Sequence, residues 1–264
     1  MKFTLGKRKQ DKMSGAEQKT NLQAASAQQA ASAADCAVTK GNAHNNKPGM
    51  PRELMGRRSR NSKCFAGESG TITTVFHDKP IHYLDPADST FKDIDNSLFD
   101  TGNGLETRKN SFKTRFNKRA KDGRIFDVQK DDCKVGLISR EAAKRGGCNL
   151  EQCSCDAGKA KKESRVMLKG VKDNVDIEYI VDSEKVKENI IIKEKSEDYD
   201  FNFDLAIENL IVSVSRDGKR LELKKKVTGR VQFYIPSPFM FDADGTYSDS
   251  VYYEVVQDDK NKLS

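Results

Sequence analysis

The sequence predicts an all-β protein: an antiparallel, sandwich-like body of one or two sandwiches that follows a disordered N-terminal tail. From residue 71 onward, short runs rich in Val, Ile, Phe, Tyr and Thr are separated by Gly, Asp, Asn or Pro turns. No long stretch combines helical periodicity with helix caps, although Val186–Ile192 is short enough to be ambiguous. The composition also changes near residue 70, which predicts a tail at 1–70, a body at 71–258 and a short tail at 259–264.

Residues 1–70 carry charge without the apolar residues that a folded core needs. They hold 13 Lys and Arg against 5 Asp and Glu, and two of the 20 aromatic residues. The tract LQAASAQQAASAAD has no hydrophobic face. Such a segment cannot bury enough apolar surface to offset its chain entropy, so disorder is predicted. The basic cluster GRRSRNSK (56–63) is interpreted as a solvated linker, and nucleic-acid binding is disfavoured because no aromatic residue interleaves the charges.

Neither a membrane span nor a secretory signal is predicted. No window approaches the roughly 18 apolar residues of a membrane helix. The start, MKFTLGKRKQDK, is basic but has no apolar segment behind it. A stand-alone product of this sequence is therefore expected in the cytoplasm.

The body reads as a series of strands joined by turns. Asp217-Gly218 supplies the positive φ angles of a tight hairpin, and the turn 242–245 precedes the last strand. The run YDFNFDLAI alternates aromatic and polar residues, which predicts a half-buried strand with its aromatic side chains inward. The predicted strands are TITTVF, PIHYL, SFKTRFN, RIFDV, KVGLIS, SRVMLKG, VDIEYIVD, KENIIIKEK, YDFNFDLAI, LIVSVSRDG, RLELKK, RVQFYIP and SVYYEVV.

The stretch TVFHDKPIHYLDPADSTFKDIDNSLFD contains His77 and His82 among several aspartates. The two histidines are five residues apart, so on one strand they would point to opposite faces. A metal site or an acid–base pair needs convergent side chains, so the stretch is interpreted as a strand–turn–strand corner. Asp93, Asp95 and Asn96 are predicted to be exposed or turn-forming. A hydrolase that uses His77 or His82 remains an alternative hypothesis.

Six cysteines raise the question of a metal site or disulfides: Cys36, Cys64, Cys133, Cys148, Cys153 and Cys155. The last three lie in a polar loop at 139–164, and Cys133 could supply a fourth ligand, but C-x4-C-x-C matches no recognised metal pattern. A metal and a local disulfide stay open, whereas free thiols in a loop between two pairing strands, KVGLIS and SRVMLKG, are favoured. Nearby cations should lower the thiol pKa values. Serine at Cys148, Cys153 and Cys155 should change the melting temperature little.

A basic run from Arg108 to Arg124 holds eight cations and one acidic residue. One interpretation is a strand that contacts a phosphate-rich wall polymer. The favoured interpretation is an ordinary strand, in which Phe112 and Phe116 face the core while the cations between them face solvent. The candidate contacts for a polymer are Lys113, Arg115, Lys118 and Arg119.

The acidic turn DADGTYSD supplies a weak calcium hypothesis based on Asp242, Asp244 and Asp249. Tyr253 stands where an EF-hand loop has its bidentate Glu. No nucleophile–base motif, P-loop or dinucleotide fingerprint occurs in the sequence. No catalytic residue and no cofactor are therefore predicted.

Several phrases between Glu53 and Asp258 resemble a known family, in order along the chain. They include His82-Tyr83, Asp93–Leu98, Asn174–Tyr179, Val186–Ile190 and Ile235–Met240. Together they resemble the N-terminal β-rich region of secreted RHS/YD-repeat proteins of Firmicutes, a group with wall-associated and polymorphic-toxin-type members, some of which carry DNRLRE-type modules.

The resemblance implies a non-catalytic module at the cell surface that precedes a YD-repeat shell and a variable effector. Its expected partners are a cell-wall polymer or the remainder of such a protein. The chain departs from that pattern because it contains no signal peptide, YD repeats or effector. It is therefore expected to be a gene fragment or a stand-alone degenerate copy. A carbohydrate- or wall-polymer-binding sandwich is the alternative function.

Overall fold

The computed structural model describes residues 2–7, 51–67, 70–153, 161–195, 199–216 and 220–256. Strands dominate this part of the chain, and every strand pair in it is antiparallel, as predicted. The helical segments include α1 (Arg140–Lys144) and a single 3-10 turn at Met55–Arg57. None of the helices in these ranges has the length and apolar content that crossing a membrane requires.

The strands are numbered in chain order. They are β1 (Lys2–Lys7), β2 (Arg52–Glu53), β3 (Ser62–Ala66), β4 (Ile72–Phe76), β5 (His82–Asp85), β6 (Thr90–Asp93), β7 (Asp95–Asp100), β8 (Gly104–Lys109), β9 (Lys113–Asn117), β10 (Arg124–Lys130), β11 (Cys133–Ser139), β12 (Leu150–Gln152), β13 (Ser164–Lys172), β14 (Val175–Val181), β15 (Val186–Ile192), β16 (Phe201–Glu208), β17 (Leu210–Val214), β18 (Arg220–Lys225), β19 (Val231–Pro236), β20 (Met240–Phe241), β21 (Tyr247–Ser248) and β22 (Val251–Val256).

Two sheets form the body of the molecule. The large sheet has eight strands in the order β22-β1-β16-β11-β10-β9-β8-β7, and the covering sheet has four in the order β12-β13-β14-β15. Smaller units flank them: an N-terminal sheet (β2-β3-β4), a C-terminal sheet (β17-β18-β19), and the hairpins β5–β6 and β20–β21.

The large and covering sheets share one hydrophobic core. Tyr179 of β14 lies at its centre, with its ring centroid 5.8 Å from that of Phe116 and 4.8 Å from that of Phe126. In β16, the inward residues Phe201, Phe203 and Leu205 are all buried, as the alternation predicts. Contact between inward faces of two antiparallel sheets is the defining feature of a sandwich. The predicted sandwich-like body is therefore confirmed.

The predicted N-terminal tail is too long. Strands β2 and β3 lie within 1–70, and β1 pairs with β16 on one side and β22 on the other. The prediction averaged composition over 70 residues, whereas short strands need only backbone partners supplied by distant parts of the chain. Residues 8–50 and 257–264 lie outside the described ranges.

The predicted loop at 139–164 also contains regular structure. It includes α1, whose cap is the Ser139 hydroxyl accepting from the Ala142 N–H, and β12, which pairs with β13. The flanking strands β11 and β13 do not pair with each other as predicted, because β11 belongs to the large sheet and β13 to the covering sheet. The segment is thus the crossover between the two layers of the sandwich.

The predicted tight hairpin between β17 and β18 has the expected pairing, with Val214 opposite Leu221. Its turn residues, Asp217 and Gly218, lie outside the described ranges. The corner 86–89 is a turn, in which the Asp85 carboxylate accepts from the Ala87 N–H at 3.0 Å. Asn96 contradicts its predicted exposure: it is fully buried, and its Nδ2 donates to the Lys162 carbonyl oxygen at 2.8 Å.

Candidate functional site

The basic strand β9 lies between β10 and β8 in the large sheet, two strands from the β7 edge. Phe112 and Phe116 are buried, whereas Lys113 and Arg115 point outward, which confirms the predicted alternation. Arg115 Nε lies 3.6 Å from Glu106 Oε1 on β8. Opposite-charge neighbours across strands stabilise a sheet surface. The Glu106 carboxylate therefore offsets the positive charge of Arg115, one of the four predicted contacts for a wall polymer.

The two other predicted contacts follow β9. Lys118 Nζ lies 2.5 Å from Asp100 Oδ2 and lowers the pKa of that carboxyl. Arg119 is exposed. Among the described residues, Lys113 and Arg119 have no ion pair. The four cations therefore lie along one connected segment, with the charge concentrated on two of them.

Further along the outer face, acids and bases alternate across strands. Asp127 of β10 receives Arg124 Nη2 at 2.5 Å and lies 3.9 Å from Lys134 Nζ. The Arg124–Asp127 pair lies over Gly136 of β11, where any Cβ would clash with the carboxylate. A side chain at position 136 would therefore have to displace the ends of the Asp127 and Arg124 side chains, a contact that sequence spacing did not reveal.

His82 is a buried structural residue. Its side chain is 1 % exposed, and Nδ1 lies 2.7 Å from the Ser59 carbonyl oxygen. Burial lowers the pKa of the imidazole, so the neutral ring donates from Nδ1 to that carbonyl. Nε2 lies 3.5 Å from Asp93 Oδ1. His77 is exposed and follows β4, whereas His82 begins β5, so the two rings belong to different strands and form no convergent pair.

Arg58 joins the N-terminal sheet to the β5–β6 hairpin. Its side chain is 5 % exposed; Nε donates to Glu53 Oε1 at 2.8 Å and Nη2 to Asp93 Oδ2 at 3.2 Å. Lys63 Nζ completes the group at 2.8 Å from Asp93 Oδ1. The sequence interpretation of 56–63 as a solvated linker is therefore wrong at Arg58. The two partners of Arg58 lie 5 and 35 residues away in the sequence. The composition of residues 56–63 alone therefore could not predict that Arg58 joins two elements.

A cavity of about 590 Å³ lies beside this group and is lined by residues that include Arg58, Phe91 and Asp93. Three of its charged side chains, those of Arg58, Lys92 and Asp93, already have partners within the protein. A ligand there would have to compete with bonds that hold two elements together, so the cavity is better suited to packing than to chemistry.

The cysteines do not form a metal centre in the part of the chain that the structure describes, where no group of three or more His, Cys, Asp or Glu could hold an ion. Cys133 lies at the start of β11, with Sγ 3.8 Å from the Asn209 carbonyl oxygen, and Cys148 is 9 % exposed in the core. Burial raises the pKa of Cys148 to about 11 and also raises those of Cys133 and Cys153. The expected lowering is therefore wrong, because desolvation outweighs nearby cations. Cys155 and Cys36 lie outside the described ranges.

A buried carboxyl group is present that the sequence analysis missed. Tyr179 Oη donates to Glu188 Oε2 at 2.5 Å across β14 and β15. The Glu188 side chain reaches in from an edge strand, and burial raises its pKa to about 7. The sequence signal was the alternation in β15, where Glu188 shares a face with Val186, Ile190 and Ile192, all packed against the core.

The β20–β21 hairpin presents three aromatic rings to solvent. Phe239, Phe241 and Tyr247 are 50 %, 59 % and 56 % exposed, and their ring centroids lie 5.5 to 5.9 Å apart. The predicted turn at 242–245 joins the two strands: Asp242 Oδ1 accepts from the N–H groups of Asp244 at 3.0 Å and Thr246 at 2.8 Å. Asp242, one of the three aspartates in the calcium hypothesis, thus uses its carboxylate to stabilise the turn in which it lies.

Fold and surface together define an antiparallel β module whose outer face carries paired charges and, among the residues described, two unpaired cations, with a charged group around Arg58 and an exposed aromatic hairpin near the C-terminus. No family model matches the chain, and no solved structure matches it significantly.

Two kinds of curated relative are similar to it. The chain is 25 % identical over 197 residues to a Geobacillus stearothermophilus protein named "Wall-associated protein", a match covering 74 % of this chain and 76 % of that protein. It is 26 % identical over 219 residues to "tRNA nuclease WapA" of Bacillus subtilis strain 168, covering 80 % of this chain but 9 % of that protein. A "tRNA(Glu)-specific nuclease WapA" from Bacillus subtilis subsp. natto matches with the same identity and coverage.

Proposed function

We propose that this chain is a non-catalytic β module of a wall-associated cell-surface protein of the RHS/YD-repeat type. The main support for this proposal is that the matched region covers very different shares of the relatives' lengths. The shared region makes up 76 % of a protein named only for wall association, but 9 % of each of two proteins named as tRNA nucleases. A region that recurs in both settings is best explained as an attachment or delivery module, with the nuclease activity residing in the remainder of the longer proteins.

The geometry supports the non-catalytic part of this proposal. His82, the residue with the greatest catalytic potential in the sequence, is buried and hydrogen-bonded to a backbone carbonyl. The Glu188 carboxyl, on a partly exposed residue of the edge strand β15, is engaged by the hydroxyl of the fully buried Tyr179. A general acid or base must reach the reacting group within hydrogen-bond distance, whereas both side chains are already engaged by partners within the protein.

The position of the module in a longer protein, its location and its partners are part of the same proposal. The module would precede a YD-repeat shell and a polymorphic-toxin-type effector, with DNRLRE-type modules elsewhere in such proteins. Its location would be extracellular or at the cell surface, and its partners a wall polymer or the remainder of the longer protein.

Sedimentation with purified cell walls tests the attachment role. The full chain, mixed with Bacillus walls and centrifuged, should appear in the wall pellet and not in the pellet of a wall-free control. A chain that stays in the supernatant over a wide range of wall concentrations would contradict wall attachment. In a parallel reaction with total tRNA, cleavage that co-elutes with the chain in gel filtration would contradict the non-catalytic assignment.

A wall-polymer contact on the basic segment is a second candidate function. The observation favouring it is that Lys113 and Arg119 are exposed and have no ion pair among the residues described. Glycine or alanine at both positions should weaken sedimentation with walls that retain teichoic acid, and added salt should do the same. Equal sedimentation by the wild type and the double alanine variant would exclude this surface.

A further inference from the structure

The exposed aromatic hairpin is unlike the rest of the surface. Other strands also carry more than one large exposed apolar residue, as β4 does with Ile72 and Phe76, but among the described residues the exposed rings in mutual contact are those of Phe239, Phe241 and Tyr247. Contiguous apolar surface on a folded protein marks an interaction site more often than scattered single residues do.

The hairpin holds these rings in place. Phe241 lies directly opposite Tyr247 in the strand register. The turn between them is fixed by the Asp242 carboxylate and by Gly245, whose φ of +82° suits glycine. Because the backbone is already ordered, binding need not include the entropy cost of forming the surface.

The planes of Phe239 and Tyr247 are inclined by 32°, whereas Phe241 stands edge-on to both rings, at 81° and 62°. We propose that the Phe239 and Tyr247 rings, supported by Phe241, form a platform for an uncharged pyranose ring of a wall polysaccharide, an inference that rests on the proposed wall attachment. A pyranose presents C–H groups on its face and hydroxyl groups around its rim. Aromatic rings carry negative charge on their faces, which suits the C–H groups, and the Tyr247 hydroxyl can exchange hydrogen bonds with the rim.

Charge around the platform selects a neutral sugar over an anionic polymer. Asp244 lies in the turn that joins Phe241 to Tyr247, and Asp249 follows Tyr247 by two residues; both are exposed, and neither has an ion pair with another described residue. Their carboxylates accept hydrogen bonds from sugar hydroxyls but repel phosphate groups. Teichoic acid and nucleic acid are therefore poor occupants of this surface.

Isothermal titration with the N-acetylglucosamine tetramer tests the platform in the full chain. The wild type should bind the tetramer, and Phe241→Ala or Tyr247→Ala should weaken the affinity by at least about tenfold, as expected for loss of a central aromatic contact. Polyglycerol phosphate should not compete. Tyr234→Ala is the matched control, because Tyr234 is 62 % exposed on β19 but lies outside the ring cluster, and it should bind as the wild type does.

Three outcomes would overturn the platform. They are the absence of tetramer binding by the wild type, equal affinity in Phe241→Ala, and concentration-dependent self-association that disappears in Tyr247→Ala, since this last result would make a second copy the occupant. Wall sedimentation separates the two proposals: a wild-type chain that sediments with walls but does not bind the tetramer refutes the platform alone, whereas failure of the wild type to sediment refutes wall attachment.

Discussion

Replacing Glu188 with glutamine should change the pH dependence of stability in a defined direction. The carboxyl group has no cation beside it among the contacts described; its partner is the Tyr179 hydroxyl. Burial raises its pKa from the ordinary 4.5 to about 7. The folded protein therefore holds this proton over a pH range in which the unfolded chain has already released it.

The magnitude follows from this difference. The stabilising effect of the protonated group is complete below pH 4.5 and is lost as the pH rises through 7. At about 1.4 kcal/mol per pH unit, the ionised group costs the folded state about 3 kcal/mol well above pH 7. Most of that cost, about 2.5 kcal/mol, develops between about pH 5 and pH 8. Glutamine stays neutral throughout, so Glu188→Gln should gain stability relative to the wild type as the pH rises.

Urea denaturation followed by far-UV circular dichroism at pH 5 and pH 8 measures this gain. Any penalty from the unpaired amide N–H groups of glutamine is the same at both pH values and cancels in the comparison. Tyr179→Phe is the opposite control: removing the hydroxyl should raise the pKa of Glu188 further, because that hydrogen bond lowers it. This variant should therefore lose more stability at pH 8 than at pH 5. An equal effect of Glu188→Gln at both pH values would refute the buried carboxyl group.

Three further experiments test the packing and the outer face. Phe116→Ala should cost about 3–5 kcal/mol in urea denaturation, because its fully buried ring contacts Tyr179; a loss below about 1 kcal/mol would contradict the shared core. Cys148→Ser should cost about 1–3 kcal/mol because it buries a hydroxyl, whereas the partly exposed Cys153→Ser should cost little; equal melting temperatures would restore the mobile-loop interpretation. Gly136→Ala should lower the melting temperature by displacing the ion pair above it, and the loss should shrink in a background lacking the Asp127 carboxylate.

The sequence predicted the features that depend on near neighbours in the chain. Alternation every second residue assigned Phe112 and Phe116, and Phe201 and Phe203, to the buried face. Turn chemistry also predicted the pairing of β17 with β18, because a two-residue hairpin fixes which strands meet. The sequence shows aromatic residues on either side of the 242–245 turn, but it did not predict that their rings contact one another.

Only the tertiary structure decided which distant segments meet. Period-two alternation gives the face of a strand but not its neighbour, so nothing local placed β1 between β16 and β22. The same limit applies to buried polar groups. Asn96, Arg58 and Glu188 look like surface residues by type, yet each is buried or nearly so by a partner that folding brings to it. Burying a polar group is tolerable only when a partner satisfies it, and that partner is chosen by strand pairing and sheet packing, not by the residues beside it in sequence.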